Sequence, residues 1–544
     1  MNGRKFLKAV CLCAGAVWMH SLSGALVYVD CENGNDETGD GSELAPFKTF
    51  HKGLDSGGCV GEGMCLAPGT YALTNDVIFG RNTNRSPFPR LYGMGDGAAD
   101  VVIDGRGRYS WRSYGYQSGA FSVTFSNLYS EADIALNTYG TARGYNLPNP
   151  ATSTIFSNCV MTCCQSDSYF CLAVHGGVRL IDCVITNCSA GSALIDCWGG
   201  CQIERCQLLG NTSTGDLIAM STFSYGDHEA FDSSHVAQST FAGNETKRSA
   251  VSLMPIVSQC RFLNNRVVYG VCYYYQNFKN TPLKIQDSVF DGNVTTSTGN
   301  GSGCSGIYIT NAQLTNSVIE NCVLENGSAP NCPGWTDNGG GAMRLQPAKL
   351  FGSGLTVRNV RISGCTVGLG QASAIWMNYN QTAEGPGLVT FENCTIADND
   401  ATQSAVYYYD TNNGRTFFKN CVFSNGLGEG PRVHGIKGAK NWDPGMGYAN
   451  MSNCLFASAV DYAFDPAQKI LNGEDAKFQP DSYVPANKSP LVDAGLNDLS
   501  WMATAWDLQR DADGNPVCKR IVNEVVDIGA YEFRPVFGFM LLLR

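Results

Sequence analysis

Charge is scarce in this chain. Only 16 % of its 544 residues are Asp, Glu, Lys or Arg, and six are histidine. The net charge is −11, so nothing attracts a phosphate backbone and nucleic acid is excluded as a natural partner. Phosphate loops, dinucleotide fingerprints and Ser-His-Asp contexts are missing. No pair of cysteines has the doubled C-x-x-C spacing of a zinc site. The five histidines beyond the first twenty residues (His51, His175, His228, His235, His434) never recur at ligand spacing, which excludes a histidine metal cluster. Apolar runs long enough to cross a bilayer are absent too. What is abundant is glycine (62 residues) with Asn, Ser and Thr, the composition of short strands and many turns rather than of helices.

The first residues read as an export signal. Arg4, Lys5 and Lys8 form a basic start, Val10 to Met19 is uncharged and apolar, and Ser23-Gly24-Ala25 offers a cleavage point before Leu26. The pattern predicts a signal peptide over 1–25. Of 24 cysteines, Cys11 and Cys13 fall in this leader and 22 remain. Cys31, Cys59 and Cys65 are the expected disulfide partners in an exported chain.

One phrase then keeps returning. It reads Asn158-Cys159-Val160-Met161, Asp182-Cys183-Val184-Ile185, Arg205-Cys206-Gln207-Leu208, Gln238-Ser239-Thr240-Phe241, Gln259-Cys260-Arg261-Phe262 and Asp287-Ser288-Val289-Phe290. It continues as Asn316-Ser317-Val318-Ile319, Asn359-Val360-Arg361-Ile362, Asn393-Cys394-Thr395-Ile396, Asn420-Cys421-Val422-Phe423 and Asn453-Cys454-Leu455-Phe456. A small inward residue is followed two places on by a large apolar one, and alternate strand residues share a face. Five places after the first inward position comes Asn (Asn211, Asn244, Asn265, Asn293, Asn399) or Cys (Cys164, Cys188, Cys322, Cys365). The asparagines are expected to stack as a hydrogen-bonded ladder. Spacings run mostly from 21 to 34 residues, with one of 43 between Ser317 and Val360. A period in the twenties made of strand phrases alone predicts an all-β, right-handed parallel β-helix solenoid of about eleven or more coils with an amino-terminal cap. The cysteine column, interchangeable with Ser and Val, is expected to fill the coil interior as buried thiols.

Both ends carry longer motifs. Val27-Tyr28-Val29-Asp30, a Gly-Asn-Asp turn, Pro46-Phe47-Lys48-Thr49-Phe50 and Pro68-Gly69-Thr70-Tyr71 together resemble the opening segment of secreted pectate-lyase-like β-helix proteins of bacteria. The resemblance implies a first strand, a short capping helix at Thr49 to Ser56 and a first coil. Ser489-Pro490-Leu491-Val492-Asp493-Ala494-Gly495, Asp507, Arg510-Asp511-Ala512-Asp513-Gly514 and Val526-Asp527-Ile528-Gly529-Ala530-Tyr531-Glu532 look like the choice-of-anchor Q domain of exported β-helix proteins. The two signatures cover about a quarter of the chain. The expected organisation is a leader (1–25), a cap with first coils (26–150), repeats (151–460), a choice-of-anchor Q-like region (461–533) and an apolar tail (534–544). Envelope association through the carboxyl-terminal region follows from the same resemblance. The tail is too short to span a bilayer and lacks a sorting phrase.

Chemistry is harder to read. The polygalacturonase-type pattern of paired aspartates with Gly-His-Gly does not occur. No cofactor is implied, apart from calcium were the chain a lyase of the pectate type. Arg510 to Asn515 resembles the start of a calcium loop but lacks the closing Glu. Arg344 stands in an otherwise apolar strand column; either it serves a site, or Gly339-Gly340-Gly341 shifts the register and it faces solvent. A second strand phrase per coil puts aromatics on one outer face: Tyr274, Tyr308, Trp376, Tyr407 and Tyr409, with Met343, Arg344, Asn378 and Asp410 beside them. Aromatic faces on a long solenoid suit sugar rings; a covering loop would remove that use. The expected function is an exported or cell-surface protein contacting polysaccharide or another surface glycan through this face. A polysaccharide lyase or hydrolase, and an adhesin-like spacer, are the alternatives.

Overall fold

Each recurring phrase turns on a residue in the left-handed region. Arg205, Gln238, Gln259, Asp287, Asn321, Asn359, Asn393, Asn420 and Asn453 all have φ between 50° and 54°. A second left-handed column follows five residues later, at Gly210, Gly243, Asn264, Gly292, Asn326, Gly364 and Asp398. Asn, Asp and Gly tolerate this conformation best, which is why they crowd these positions. Between the two columns runs a three-residue strand, and the repeat of turn, strand and turn closes each coil.

The computed structural model describes residues 26–56, 63–79, 90–114, 119–131, 136–139, 154–168, 171–175, 178–198, 200–220, 233–275, 281–297, 303–330, 341–368, 372–379, 387–399, 404–410, 416–424, 436–438, 450–459, 463–497, 502, 505–510, 516–522 and 524–534. The leader over 1–25, Cys59, His20, His228, His434, residues 511–515 of the calcium-like turn and the tail from 535 lie outside these residues. The chain divides into two compact units, 1–144 with 148–188, and 145–147 with 189–544.

In the first unit, Val27–Val29, Met64–Leu66, Arg90–Gly93, Gly119–Phe121, Thr154–Ser157 and Val178–Ile181 pair in parallel, one above the next. The expected capping helix is Phe50–Asp55. Thr49 caps it, its hydroxyl accepting from Lys52 N at 3.3 Å, and Asp36 fixes Thr49 through both N–H and hydroxyl. Gly53 lies against the first strand, where a Cβ would stand 2.6 Å from Val29 Cγ2.

The second unit repeats one coil plan. A first sheet runs Cys201–Glu204, His235–Ala237, Ile256–Ser258, Lys284–Gln286, Gln313–Glu320, Lys349–Arg358, Leu388–Glu392, Thr416–Lys419 and Met451–Ser452. A second runs from Gln207–Leu209 to Leu471–Asn472, and a third from Ile195–Trp198 to Ile436–Gly438. Pairs of residues from Ser189–Ala190 to Thr366–Val367 form a narrow fourth sheet between the second and third. Strand pairing within these sheets is parallel throughout the described residues. The chain is a right-handed parallel β-helix.

Inside, like stacks on like. Phe241, Phe262 and Phe290 stack with centroids 4.8 and 4.9 Å apart. Asn211 donates twice to Asn244 Oδ1 (both 3.0 Å), Asn244 to Asn265 Oδ1 (3.1 and 2.8 Å), and Asn265 to Asn293 Oδ1 (2.9 and 3.0 Å). This is the expected ladder, and it satisfies buried amides that no sheet reaches. The column cysteines are buried, and Cys260 and Cys322 point their thiols at the carbonyls of Ser258 and Glu320, both at 3.2 Å. Among the described residues Cys31 and Cys65 are not joined to another cysteine, and Cys59, the third expected partner, lies outside those residues.

One phrase belongs elsewhere. Val318-Ile319 pairs with Lys284-Ile285 in the first sheet, whereas Val289-Phe290 of the second sheet pairs with Val323-Leu324. The repeat therefore continues through Asn321-Cys322-Val323-Leu324. Cys322 is a first-column residue, Gly327 takes the second position, and the long interval shortens to 38 residues. The mimic arises because Asn316 is also left-handed (φ 46°), beside a register shift between Thr315 and Ser317.

The carboxyl-terminal region covers the outer side of the second sheet. Leu491 and Ile528, from its two signature phrases, pack with Ala476 on Val422 and Leu455. The left-handed asparagines hold it: Asn359 Nδ2 donates to Trp506 O (2.9 Å), Asn393 to Asp527 O (3.3 Å), Asn420 to Leu496 O (3.1 Å) and Asn453 to Ala494 O (3.0 Å). Gly529 has φ 102°, and a Cβ there would meet Thr395 Oγ1 at 2.8 Å. Beneath it Arg520 and Glu532, both fully buried, pair at 3.0 Å, with Asp507 and Asp527 close by.

Three carboxyls against one guanidinium cannot all ionise in a buried site. Burial pushes Asp527 up to about 6 and Glu532 up to about 9, with Asp507 moved the same way. A carboxyl that holds its proton more tightly folded than unfolded contributes fully below its unfolded range, ~4, and that contribution is lost as pH rises through the folded value. The Tm is therefore expected to fall as pH rises from 4 to 9, and Glu532→Gln to flatten the upper part of the fall. A Tm that climbs over this range would contradict the assignment.

Candidate functional site

The third sheet of the second unit carries the face on which the sequence places its aromatics. Register pairs Ile195, Ile218, Val251, Cys272, Ile307, Met343, Ile375 and Val406 along the inner side. The outward column one residue on is Asp196, Ala219, Ser252, Tyr273, Tyr308, Arg344 and Trp376, with Tyr407 at the next register position.

Two sequence assignments change. Tyr274 faces inward and is fully buried, and Tyr273 takes its outward place. Met343 faces inward, and Arg344 is the outward residue. Both errors come from aligning strands on their preceding glycine. Gly306 lies one residue before the first inward position, but Gly270 and Gly341 lie two before it.

Tyr308 and Trp376 stand outward as expected and Arg344 joins them, yet the three are 5 %, 0 % and 3 % exposed. They are not an open platform. The Arg344 guanidinium lies between two rings, its Cζ 4.8 Å from the Tyr308 centroid and 4.4 Å from that of Trp376. Its Nη2 donates to Gln346 Oε1 at 3.0 Å. Such a cation held between π faces is a packing element that orders three coils. Arg344 thus neither faces solvent nor offers a free base. Asn378, Tyr407, Tyr409 and Asp410 occupy register positions in Ala372–Tyr379 and Ser404–Asp410, and their side chains lie outside the described residues.

The half-exposed part of the column is one coil earlier. Tyr273 stacks on Tyr269 and on Tyr275, with centroids 4.9 Å apart in both pairs, and meets Tyr308 at 5.1 Å. Arg248 Cζ sits 5.7 Å from the Tyr275 centroid. Its Nε lies 3.8 Å from Asp216 Oδ2. Two residues before the first inward position the coils have Ala193, Asp216, Ser249, Gly270, Ser305, Gly341 and Ser373. Asp216 is the one charged residue in this small-residue column, a signal the sequence offered. Burial pushes its carboxyl up to about 6 despite Arg248 and the Ser249 hydrogen bonds, and Asp196 adds to the rise. None of Tyr269, Tyr273, Tyr275, Arg248, Asp216 or Asp196 was singled out from the sequence.

Among the described residues no three His, Cys, Asp or Glu side chains converge as a metal site. The two carboxylates here, one of them facing a guanidinium, do not supply the six or more oxygens that calcium takes. The arrangement does not fit calcium. No helix among the described residues is long and apolar enough to cross a membrane.

A family model described as right handed beta helix region matches residues 256–456. No curated protein matches the chain. Among solved structures, the chain is similar to the catalytic domain of a GH87 alpha-1,3-glucanase in complex with tetrasaccharides, at 10 % identity and a TM-score of 0.34, over 70 % of this chain and 65 % of that one. It is also similar to a GH136 lacto-N-biosidase from Eubacterium ramulus (10 %, TM-score 0.27, 80 % and 70 % of the two chains). A surface adhesin of Streptococcus pneumoniae, PfbA, matches at 10 % and 0.28, over 69 % and 83 %. The match spans just under two thirds of the glucanase domain. At these scores the likenesses assign no activity.

Proposed function

We propose that this β-helix protein is exported and contacts polysaccharide through the Tyr269–Tyr273–Tyr275 patch. One observation carries the reading: Tyr273, stacked on Tyr269 and on Tyr275, makes a row of three half-buried tyrosines on an outer strand face, with Arg248 against the last. Rings held rigid by their neighbours lose little entropy on meeting a sugar, and the phenol and guanidinium groups supply donors to its hydroxyls. The basic and apolar leader over 1–25 supports export. The choice-of-anchor Q-like phrases in 461–533 support retention at the cell envelope, whether as a binder or as an adhesin-like spacer.

A hydrolase or lyase is the second reading, favoured by the Asp196 and Asp216 pair and by a carboxyl that holds its proton to about 6. The Asp216 side chain is only 5 % exposed, so a bound sugar meets the tyrosines before it meets the acid. Binding without turnover is therefore the primary reading.

Retention of the full chain on a panel of immobilised neutral and acidic polysaccharides tests it. Tyr273→Ala, with the strand content unchanged by circular dichroism, is expected to weaken retention roughly tenfold, ~1.4 kcal/mol. Retention on no glycan, or retention indifferent to Tyr273→Ala, would sink the proposal. Release of new reducing ends or unsaturated products, lost in Asp216→Asn, would replace binding with catalysis.

A further inference from the structure

Most buried thiols of this chain sit in the repeating column and point at carbonyl oxygens. Cys197 and Cys201 do not. Cys197 is an inward residue of Ile195–Trp198 in the third sheet, and Cys201 opens Cys201–Glu204 in the first. The chain turns the corner between the two strands through Gly200, whose φ of 110° only glycine adopts readily. The two side chains are fully buried and their sulfurs are 3.0 Å apart. That is about 1 Å beyond the ~2.05 Å of a disulfide bond.

We propose that Cys197 and Cys201 are joined by a disulfide in the native protein, a covalent clasp linking two successive faces of one coil. The reaction is thiol–disulfide exchange. The two thiols give up two protons and two electrons, an S–S bond forms between them, and the disulfide of an oxidant is reduced to two thiols. The oxidant is a disulfide-bearing oxidoreductase or a low-molecular-weight disulfide such as oxidised glutathione. Neither sulfur is reachable once the coil has closed, so the bond forms in the folding chain and resists reduction afterwards. The column cysteines serve as internal controls. Cys183 sends its thiol to the carbonyls of Phe156 and Ile181, both at 3.3 Å.

The test uses the full chain, refolded in a buffer of reduced and oxidised glutathione, or recovered from an oxidising bacterial periplasm if refolding fails. The folded protein is denatured without reductant, alkylated with iodoacetamide and digested with trypsin. One peptide, Leu180 to Arg205, holds Cys183, Cys188, Cys197 and Cys201. The expected peptide carries no alkyl group on Cys197 or Cys201, is lighter by two hydrogens at that pair, and gives no backbone fragments between them until reduced. Alkylation of both Cys197 and Cys201, or a bridge from either to another cysteine, would overturn the proposal. A second readout is thermal. A strong reductant during unfolding should lower the Tm of the wild type and leave that of Cys197→Ala/Cys201→Ala unmoved, whereas an equal response in both chains counts against the clasp. Should the double variant fail to fold, the peptide map alone decides.

Discussion

Arg520→Ala is expected to cost about 3–5 kcal/mol of stability, read as a lower urea midpoint and a lower Tm. The guanidinium is fully buried, pairs with Glu532 at 3.0 Å and donates to the carbonyls of Asp527 (3.0 Å) and Gly529, and to Asn359 Oδ1 at 3.3 Å. Alanine leaves those acceptors unpaired and three carboxyls facing one another without a cation. Removing one partner of a buried pair costs more than the pair contributes, because the remaining charge has neither water nor counter-ion. Arg520→Lys should recover only part of the loss, since an ammonium cannot reach several acceptors in a planar fork. A loss below ~1 kcal/mol, the level of an exposed ion pair, would show that the cluster does not hold the carboxyl-terminal region.

The second large effect concerns the interior stack. Phe262 is fully buried and has a parallel ring above and below it, Phe241 and Phe290. Phe262→Ala should lower stability by about 3–5 kcal/mol, the sum of lost transfer energy and a cavity that sheets on all sides cannot close. Because each coil touches only its neighbours, the damage should be local. Hydrogen exchange is expected to speed up in strands 240–242 and 289–291 before it does near 416–424. Uniform acceleration along the unit would mean that the stack is not the unit of cooperativity.

Much of the coil was legible because its strands are short and its turns are chemically distinctive. A left-handed Asn or Asp, a small inward residue and a large one two places later repeat often enough to reveal the second sheet, the phenylalanine stack and the asparagine ladder. The capping helix was legible only through the resemblance of the opening motifs to those of other β-helix proteins. The failures have a common physical source. Asn316-Ser317 copies the phrase because a bulge in the first sheet also needs a left-handed residue followed by a small one. Tyr274 and Met343 were assigned to the wrong face because the third sheet is entered through glycines at two different distances from the strand, and a slip of one residue reverses every side chain. The tyrosine patch was illegible for the same reason, and the burial of Trp376 and Arg344 depends on packing that no local spacing encodes. Asp216 was visible as a lone acid among small residues; its proximity to Arg248 needed the register.

The four asparagines that hold the carboxyl-terminal region lie on rungs made well before that region exists. While the chain is being synthesised, the amides of Asn359, Asn393, Asn420 and Asn453 face water, and Val422 and Leu455 have only solvent on their outer side. The described parts of residues 489–533 follow these rungs in the chain and cover them. The order of synthesis thus leaves a greasy, hydrogen-bond-hungry strip open until the phrase from Val526 to Glu532 is in place.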